Sequence, residues 1–184
     1  MSAASIAALC PNVTQADAIR EFSRMGLSSI YWRVRAGSLQ RIANAYVPYQ
    51  FYKVSYTMAR APHTRLFAMD AVDGSLDLFE FPEIPAFQHL LTVDTRNRIE
   101  PSLLPAAADE LLREKALRLI FQQGFFKVRQ DTVKFSRQPD ILHLPYWLGF
   151  YAHGAIVRCR VMDAVRRRIE GAKATAFFEH WLAA

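Results

Sequence analysis

Residues 69–72 read Met-Asp-Ala-Val, and residues 162–165 read Met-Asp-Ala-Val again. Working outward from that identity, a second landmark precedes each copy. Residues 46–56 are Tyr-Val-Pro-Tyr-Gln-Phe-Tyr-Lys-Val-Ser-Tyr, and residues 143–151 are His-Leu-Pro-Tyr-Trp-Leu-Gly-Phe-Tyr. The Pro48-Tyr49 and Pro145-Tyr146 pairs are offset by 97 positions, whereas Asp70 and Asp163 are offset by 93. The connection between the landmarks is therefore four residues shorter in the second copy. Further upstream, Phe22 with Gly26 resembles Phe121 with Gly124, each at the end of a helical pattern. Three landmarks in one order point to a tandem duplication, since self-similarity at a set spacing is the signature of a repeated structural unit.

Each copy has the same predicted anatomy. Thr14 with Asp17 makes a capping-box variant for a helix over 15–25, with Ala18, Ile19, Phe22 and Met25 at helical spacing and Gly26 as its stop. Ile30, Trp32 and Val34 alternate with polar or charged neighbours as a strand, and 46–56 form a second, in which Pro48 implies a strand start or an edge. A third strand carries Leu66, Ala68 and Asp70. Asp73-Gly74 then signals a two-residue type I′ turn, with residues 75–81 returning as a fourth strand. A Pro-containing connector, with a short strand near 90–94, leads to a helix over 105–123 that has Pro105 in its first turn. Strands follow at Phe126 and Val128, at 141–151 and at 155–163. After Asp163 the copies diverge: Arg166, Arg167 and Arg168 open a helical pattern that Asp163 would cap.

The expected fold is thus α+β: a tandem duplication of a helix–antiparallel three- or four-strand unit, closed by a C-terminal helix. Residues 14–81 are repeat one, 82–104 a connector and 105–184 repeat two, within a single compact body spanning 1–184. The two four-stranded units either pack sheet to sheet or join edges into one larger sheet.

Composition narrows the function classes. The chain has 184 residues, 52% hydrophobic and 22% charged, the balance of a globular domain rather than a disordered or collagen-like chain. No apolar run approaches the ~18–20 residues of a spanning helix. No Lys or Arg precedes the small apolar residues at the start, so a secretory signal is not expected. Cys10 and Cys159 lack metal-ligand spacing and read as reduced thiols in a bacterial, cytoplasmic protein. The net charge of +6 is uneven: residues 1–92 hold eight basic against seven acidic side chains, and 93–184 hold fifteen against ten. Eighteen of the 23 basic residues are Arg, the better side chain for bidentate phosphate contacts.

Catalytic signatures are missing. There is no Gly-x-Ser-x-Gly, Walker loop or Gly-x-Gly-x-x-Gly, and His63, His89, His143, His153 and His180 show no i+3 or i+4 pairing. No catalytic, cofactor or metal residue is therefore assigned. Asp70, Asp73 and Asp77 cluster at one turn, where Asp70 and Asp163 are expected to end strands by accepting backbone N–H bonds. Two features point instead to partners. Phe67 and Met69 fall on the sheet face that holds Arg160 in the second copy, an apolar surplus that calls for cover by the connector, the other copy or a second chain. Arg158, Arg160, Arg166, Arg167 and Arg168 stand near Trp147, Phe150 and Tyr151, a combination able to stack bases and neutralise phosphates.

The order helix, three strands, then Asp70-Ala71-Val72-Asp73-Gly74-Ser75-Leu76 resembles the PepSY-type unit, whose last hairpin carries Asp-Ala-x-Thr-Gly-x-Val; here Asp73 takes the Thr place. The same Pro-Tyr and Asp-Ala-x-x-Gly pairing is similar to hairpins in other bacterial proteins. The resemblance covers residues 14–81 and, more faintly, 105–165. It implies a helix-and-hairpin architecture and, for PepSY-type units, a role in restraining peptidases. The expected function is a non-catalytic protein-binding or scaffolding module, acting on a protein partner or as a homo-oligomer, with no cofactor and no membrane. The alternative is nucleic-acid binding through the Arg-rich second half. A third reading, an enzyme with its site at the junction of the copies, would require a deep pocket with two converging His or Asp side chains.

Overall fold

The computed structural model describes residues 3–24, 37–81, 90–124, 128–153 and 156–183. The strand expected at Ile30, Trp32 and Val34, the helix stop at Gly26 and the strand start at Phe126 lie outside them. Among the described residues the chain is α+β, with three helices against one mixed sheet. The elements are β1 (Ala4–Leu9), α1 (Gln15–Ser23), β2 (Ser38–Met58), β3 (Ala61–Asp70), β4 (Leu76–Phe81), β5 (Leu90–Thr95), α2 (Pro105–Gly124), β6 (Val128–His153), β7 (Ile156–Asp163), β8 (Arg168–Ile169) and α3 (Ala172–Ala183).

Two long antiparallel strands, β2 and β6, form the spine. β3 and β4 extend it beyond β2, β7 and β8 beyond β6, and β1 with β5 meets β6 at His143, just ahead of the stretch paired with β7. Of the two arrangements expected for the strand units, the chain adopts the second: edges join into one sheet. The register from Asn44 to Gln50 is self-complementary about the pair Val47↔Leu144. Tyr46 faces Pro145 as Pro48 faces His143, and Ala45 faces Tyr146 as Tyr49 faces Leu142. The backbone pairing about that central pair is locally two-fold, as it is in any antiparallel ladder.

Pro48 and Pro145 sit in the interior of long central strands, contrary to the expected strand start or edge. The ladder explains why. The Tyr46 N–H donates to the Asn97 carbonyl and its own carbonyl accepts from Ile99, while on the same side the Pro48 carbonyl accepts from Ala71, each at 2.9 Å. The N–H that proline lacks would point into the gap between these two neighbours, so none is missed. Pro145 repeats the arrangement, accepting from Ala164 at 3.1 Å.

Alternation along β2 and β6 gives the sheet two apolar faces. One face (Tyr49, Phe51, Leu144, Tyr146, Leu148, Val161) is covered by Phe178 of α3. The opposite face is covered by α1 and α2; each meets buried strand residues of the other half of the chain and partly buried ones of its own, Leu39 and Ile42 for α1 and Val133 and Phe135 for α2. Ala108, Leu112, Ala116 and Ile120 of α2 pack on Tyr52, Val54, Phe67 and Met69, while Ala18 and Phe22 of α1 pack on Tyr151, Met162 and Ala164. Hydrogen bonds anchor both helices: Tyr52 donates to Asp109 Oδ1 and Tyr151 to the Phe22 carbonyl, each at 2.7 Å. A Cβ at Gly149 would lie 2.9 Å from the Phe22 ring, so α1 seats closely only because that position has no side chain.

Local chemistry sets the helix ends. The Thr14 hydroxyl accepts from Asp17 N at 3.2 Å and the Asp17 carboxylate accepts from Thr14 N at 3.3 Å, the expected capping box. α1 and α2 begin 90 positions apart, at Gln15 and Pro105; Phe22 is buried in α1, whereas Phe121 of α2 is half-exposed. β1 was not expected. Its residues Ala-Ser-Ile-Ala-Ala-Leu are too small and weakly alternating to mark a strand, and pairing with β5 creates it.

Two local expectations are corrected. The two-residue type I′ turn lies at Ala59-Arg60, between β2 and β3, where φ is 50° and 66°. At Asp73-Gly74 only Gly74 has positive φ, at 71°, and the loop is longer, with Gly74 N–H donating to Asp70 O at 3.0 Å and Asp70 N–H to Ser75 O at 2.9 Å. Nor does the last helix begin at Asp163. Residues 164–167 turn, β8 pairs back on β7, and α3 starts only at Ala172. β8 thus follows the Asp163 turn as β4 follows the Asp70 turn, but is only two residues long. The Arg triplet stands outside the helix, which removes three cations from an end that repels them.

Candidate functional site

Asp70 and Asp163 end β3 and β7 opposite Tyr49 and Tyr146. Each carboxylate folds onto its own backbone. Asp70 Oδ1 accepts from Val72 N at 2.6 Å and Asp73 N at 3.3 Å, and Asp163 Oδ1 accepts from Val165 N and Arg166 N at 2.8 Å. The following alanines are tied to the opposite half, Ala71 O accepting from Ser102 and Leu103 and Ala164 O from Asn12. Gly74 and Arg167 occupy the same left-handed place, at φ 71° and 56°. Arg167 holds that conformation while its guanidinium donates to Asn12 O at 2.8 and 2.5 Å.

Between the two turns, under α3, lies a cavity of about 540 Å³. That is the size of a small-molecule site. At its centre the hydroxyls of Tyr49 and Tyr146 stand 3.3 Å apart, so one donates to the other. Phe177 and Phe178 form an apolar wall, with the Phe178 ring 5.4 Å from Tyr146. Arg166 lines the cavity and reaches Asp163 behind it at 3.3 Å; Arg168 meets Glu170 at 3.0 Å; Lys173 meets Asp73 at 3.2 Å and also donates to Ser75 Oγ.

Burial governs the titration of these groups. It raises the Asp70 carboxyl to about 6, helped by the nearby Asp73 charge and opposed by the Val72 N–H. It raises both tyrosines above their ordinary value. It also pushes Asp163 up and Arg166 down. Asp73 is held below its usual range despite burial, by the Ser75 hydroxyl and backbone and by Lys173.

The residues singled out from sequence do not form one surface. Phe67 and Met69 are 4% and 0% exposed beneath α2, so they are core residues rather than partner contacts. The cover they required comes from the other half of the chain. Arg158 and Arg160 are half-buried on the α1 side of β7, Arg160 hydrogen-bonding Tyr151. Arg166 points to the cavity on the other face, Arg167 to Asn12, and Arg168 to Glu170. Of the aromatics near them, Tyr151 is buried, Trp147 donates to Val13 O at 3.0 Å, and Arg41 covers Phe150. Sequence reasoning found Asp70 and Asp73 but read them as turn residues; it aligned Tyr49 with Tyr146 without placing their hydroxyls together. The third reading asked for two converging acids in a deep pocket, and Asp70 and Asp73 do both line this one. Both are already engaged, by backbone donors and by Lys173.

His143 is buried rather than on the surface, with its Nδ1 3.2 Å from Ala7 O and its pKa lowered by burial. The Cys159 thiol is also buried and is pushed up to about 12. No group of three or more His, Cys, Asp or Glu able to hold a metal occurs among the described residues, and no helix there is long and apolar enough to cross a membrane. No family model, no curated protein and no solved structure matches this chain.

Proposed function

We propose that this chain is a non-catalytic binding module, built by tandem duplication of one helix-and-sheet unit, and that it binds a small molecule in the cavity on its internal axis. The observation carrying the reading is the cavity's position, where Tyr49 and Tyr146 meet and α3 closes over them. The duplication is supported by matched features: the self-complementary register, the twin Asp turns, the twin left-handed residues, and helices that begin 90 positions apart. On this reading the unit is larger than 14–81, because the arm at 97–99 bridges β2 at Tyr46 as β1 bridges β6 at His143. The crossed helices give the form of a swapped dimer folded into one chain.

A binding role fits the engaged state of the polar groups. Three cations each hold a carboxylate, and both turn acids accept backbone N–H bonds, which suits recognition better than proton transfer. The geometry gives less support to a protein-docking face. The apolar surplus that argued for one is internal, and the exposed large apolar residues, such as Ile19, Leu104 and Val157, are scattered. The dispersal of the arginines likewise weakens the nucleic-acid reading.

The test is a thermal-shift screen of the full chain against cationic, anionic and neutral small molecules, alongside Ala174→Trp, which fills the cavity. Ligands should raise the melting temperature of the native chain, as any ligand selective for the folded state must, and the filled variant should lose the response. Equal responses from both proteins would place binding elsewhere and refute the proposal.

A further inference from the structure

The two halves treat their buried acid differently. In the second half the residue three positions after Asp163 is Arg166, and its guanidinium reaches the carboxylate at 3.3 Å. In the first half the residue three positions after Asp70 is Asp73, a second acid, whose charge is taken by Lys173 at 3.2 Å. Asp70 is only 7% exposed and lines the cavity. Among the described residues no salt bridge reaches its carboxylate; Lys173, paired to Asp73, acts on it only at longer range.

Charge balance around the cavity follows. Arg166 is matched by Asp163, Arg168 by Glu170 and Lys173 by Asp73. Asp70 is the acid left over, so the site carries one net negative charge when that group is ionised. Oδ1 is used by the turn backbone, which leaves Oδ2 available to a ligand. Beside it stand the tyrosine hydroxyls, which can accept from an N–H donor, and aromatic rings, whose faces attract cations.

We infer that the cavity takes a ligand with a positively charged nitrogen, an ammonium or guanidinium, on an apolar body: the nitrogen on Asp70 and the body against Phe177 and Phe178. By the internal symmetry the ligand's cation stands to Asp70 as the Arg166 guanidinium stands to Asp163. This inference rests on the binding reading above and adds the chemical class. An anionic ligand would compete with Asp163, Glu170 and Asp73 for their cations while tolerating Asp70, and a wholly neutral one would leave the Asp70 charge buried with only Lys173, already paired to Asp73, acting on it.

Calorimetric titration of the full chain at pH 7.5 with three probes sharing one body (2-phenylethylamine, 2-phenylethanol and 3-phenylpropionate) tests it. The amine should bind at least tenfold more tightly than the alcohol, and the carboxylate most weakly. Asp70→Asn should bring the amine down to the affinity of the alcohol, and Ala174→Trp should abolish binding of all three. If Asp70→Asn does not fold, the native chain still serves: amine affinity should fall as pH drops below 6, where Asp70, facing Asp73, Lys173 and the two tyrosines, gains a proton. Preference for the alcohol or carboxylate, or amine binding indifferent to Asp70 and to pH, overturns the cationic class while leaving the cavity as a binding site. Binding of all three unaffected by Ala174→Trp overturns the binding reading itself, as does no binding by any probe.

Discussion

The turn after β3 and the turn after β7 begin with the same Asp-Ala-Val and make the same backbone bonds. They then diverge within two residues, to Asp73-Gly74 in one and Arg166-Arg167 in the other. In the second turn the protein supplies the counter-charge to its own buried acid, and a bulky residue is held in a left-handed conformation. In the first, a glycine takes that conformation, and the acid faces a cavity. The pair shows how turns of one backbone geometry can close on an ion pair at one end and leave an acid lining a cavity at the other.

Breaking the closed joint should have the largest effect. Asp163→Asn strips the 14% exposed Arg166 side chain of its carboxylate, and loss of one partner of a buried pair costs about 3–5 kcal/mol. Urea unfolding at pH 7 reads this directly; a loss below ~1 kcal/mol would mean that Asp163 and Arg166 are not an interdependent pair.

Next in size, and opposite in sign at neutral pH, is Asp70→Asn. Because burial raises the Asp70 carboxyl from 3.8 to about 6, the fold favours its protonated form. That contribution is complete below pH 4 and is lost as pH climbs through 6. From pH 4 to pH 7 the native chain should therefore lose on the order of 3 kcal/mol relative to the Asn variant. Parallel stability curves for the two proteins across that range would show that the carboxylate pays no such burial cost.

Smaller effects sharpen the comparison of the left-handed residues. Gly74→Ala places a Cβ 2.3 Å from Leu111 Cδ2 at φ 71°, so a loss of about 2 kcal/mol is expected, with part of it recovered by Leu111→Ala. Arg167→Gly relieves backbone strain but gives up the bonds to Asn12 O, and the two should nearly cancel, leaving a change within about 1 kcal/mol by thermal unfolding.

Much of this was legible in one dimension. The capping box at Thr14, the strand around 66–70, the helix from Pro105 and the twin Asp turns depend on neighbours in sequence, where side-chain type and spacing decide geometry. β1 was not legible, because small residues become a strand only when β5 lies beside them. The Ala59-Arg60 turn was not, because neither residue favours positive φ and the pairing of β2 with β3 imposes it. The run from Arg166 to Ile169 read as helix, since apolar spacing cannot reveal that Met162 and Ile169 pair across a turn.

The candidate site divides along the same line. Tyr49, Asp70, Tyr146 and Asp163 could be matched by alignment of the chain with itself, and the acids assigned to their turns, because Asp accepts its own backbone N–H groups wherever it stands. That the two hydroxyls meet at 3.3 Å, that Phe67 and Met69 are sealed by a helix from the other half, and that Asp70 lines the cavity with no salt bridge of its own among the described residues were decided only by the tertiary structure. Burial and charge pairing depend on which distant segments fold together, and no local pattern encodes which of two equivalent acids will be left open.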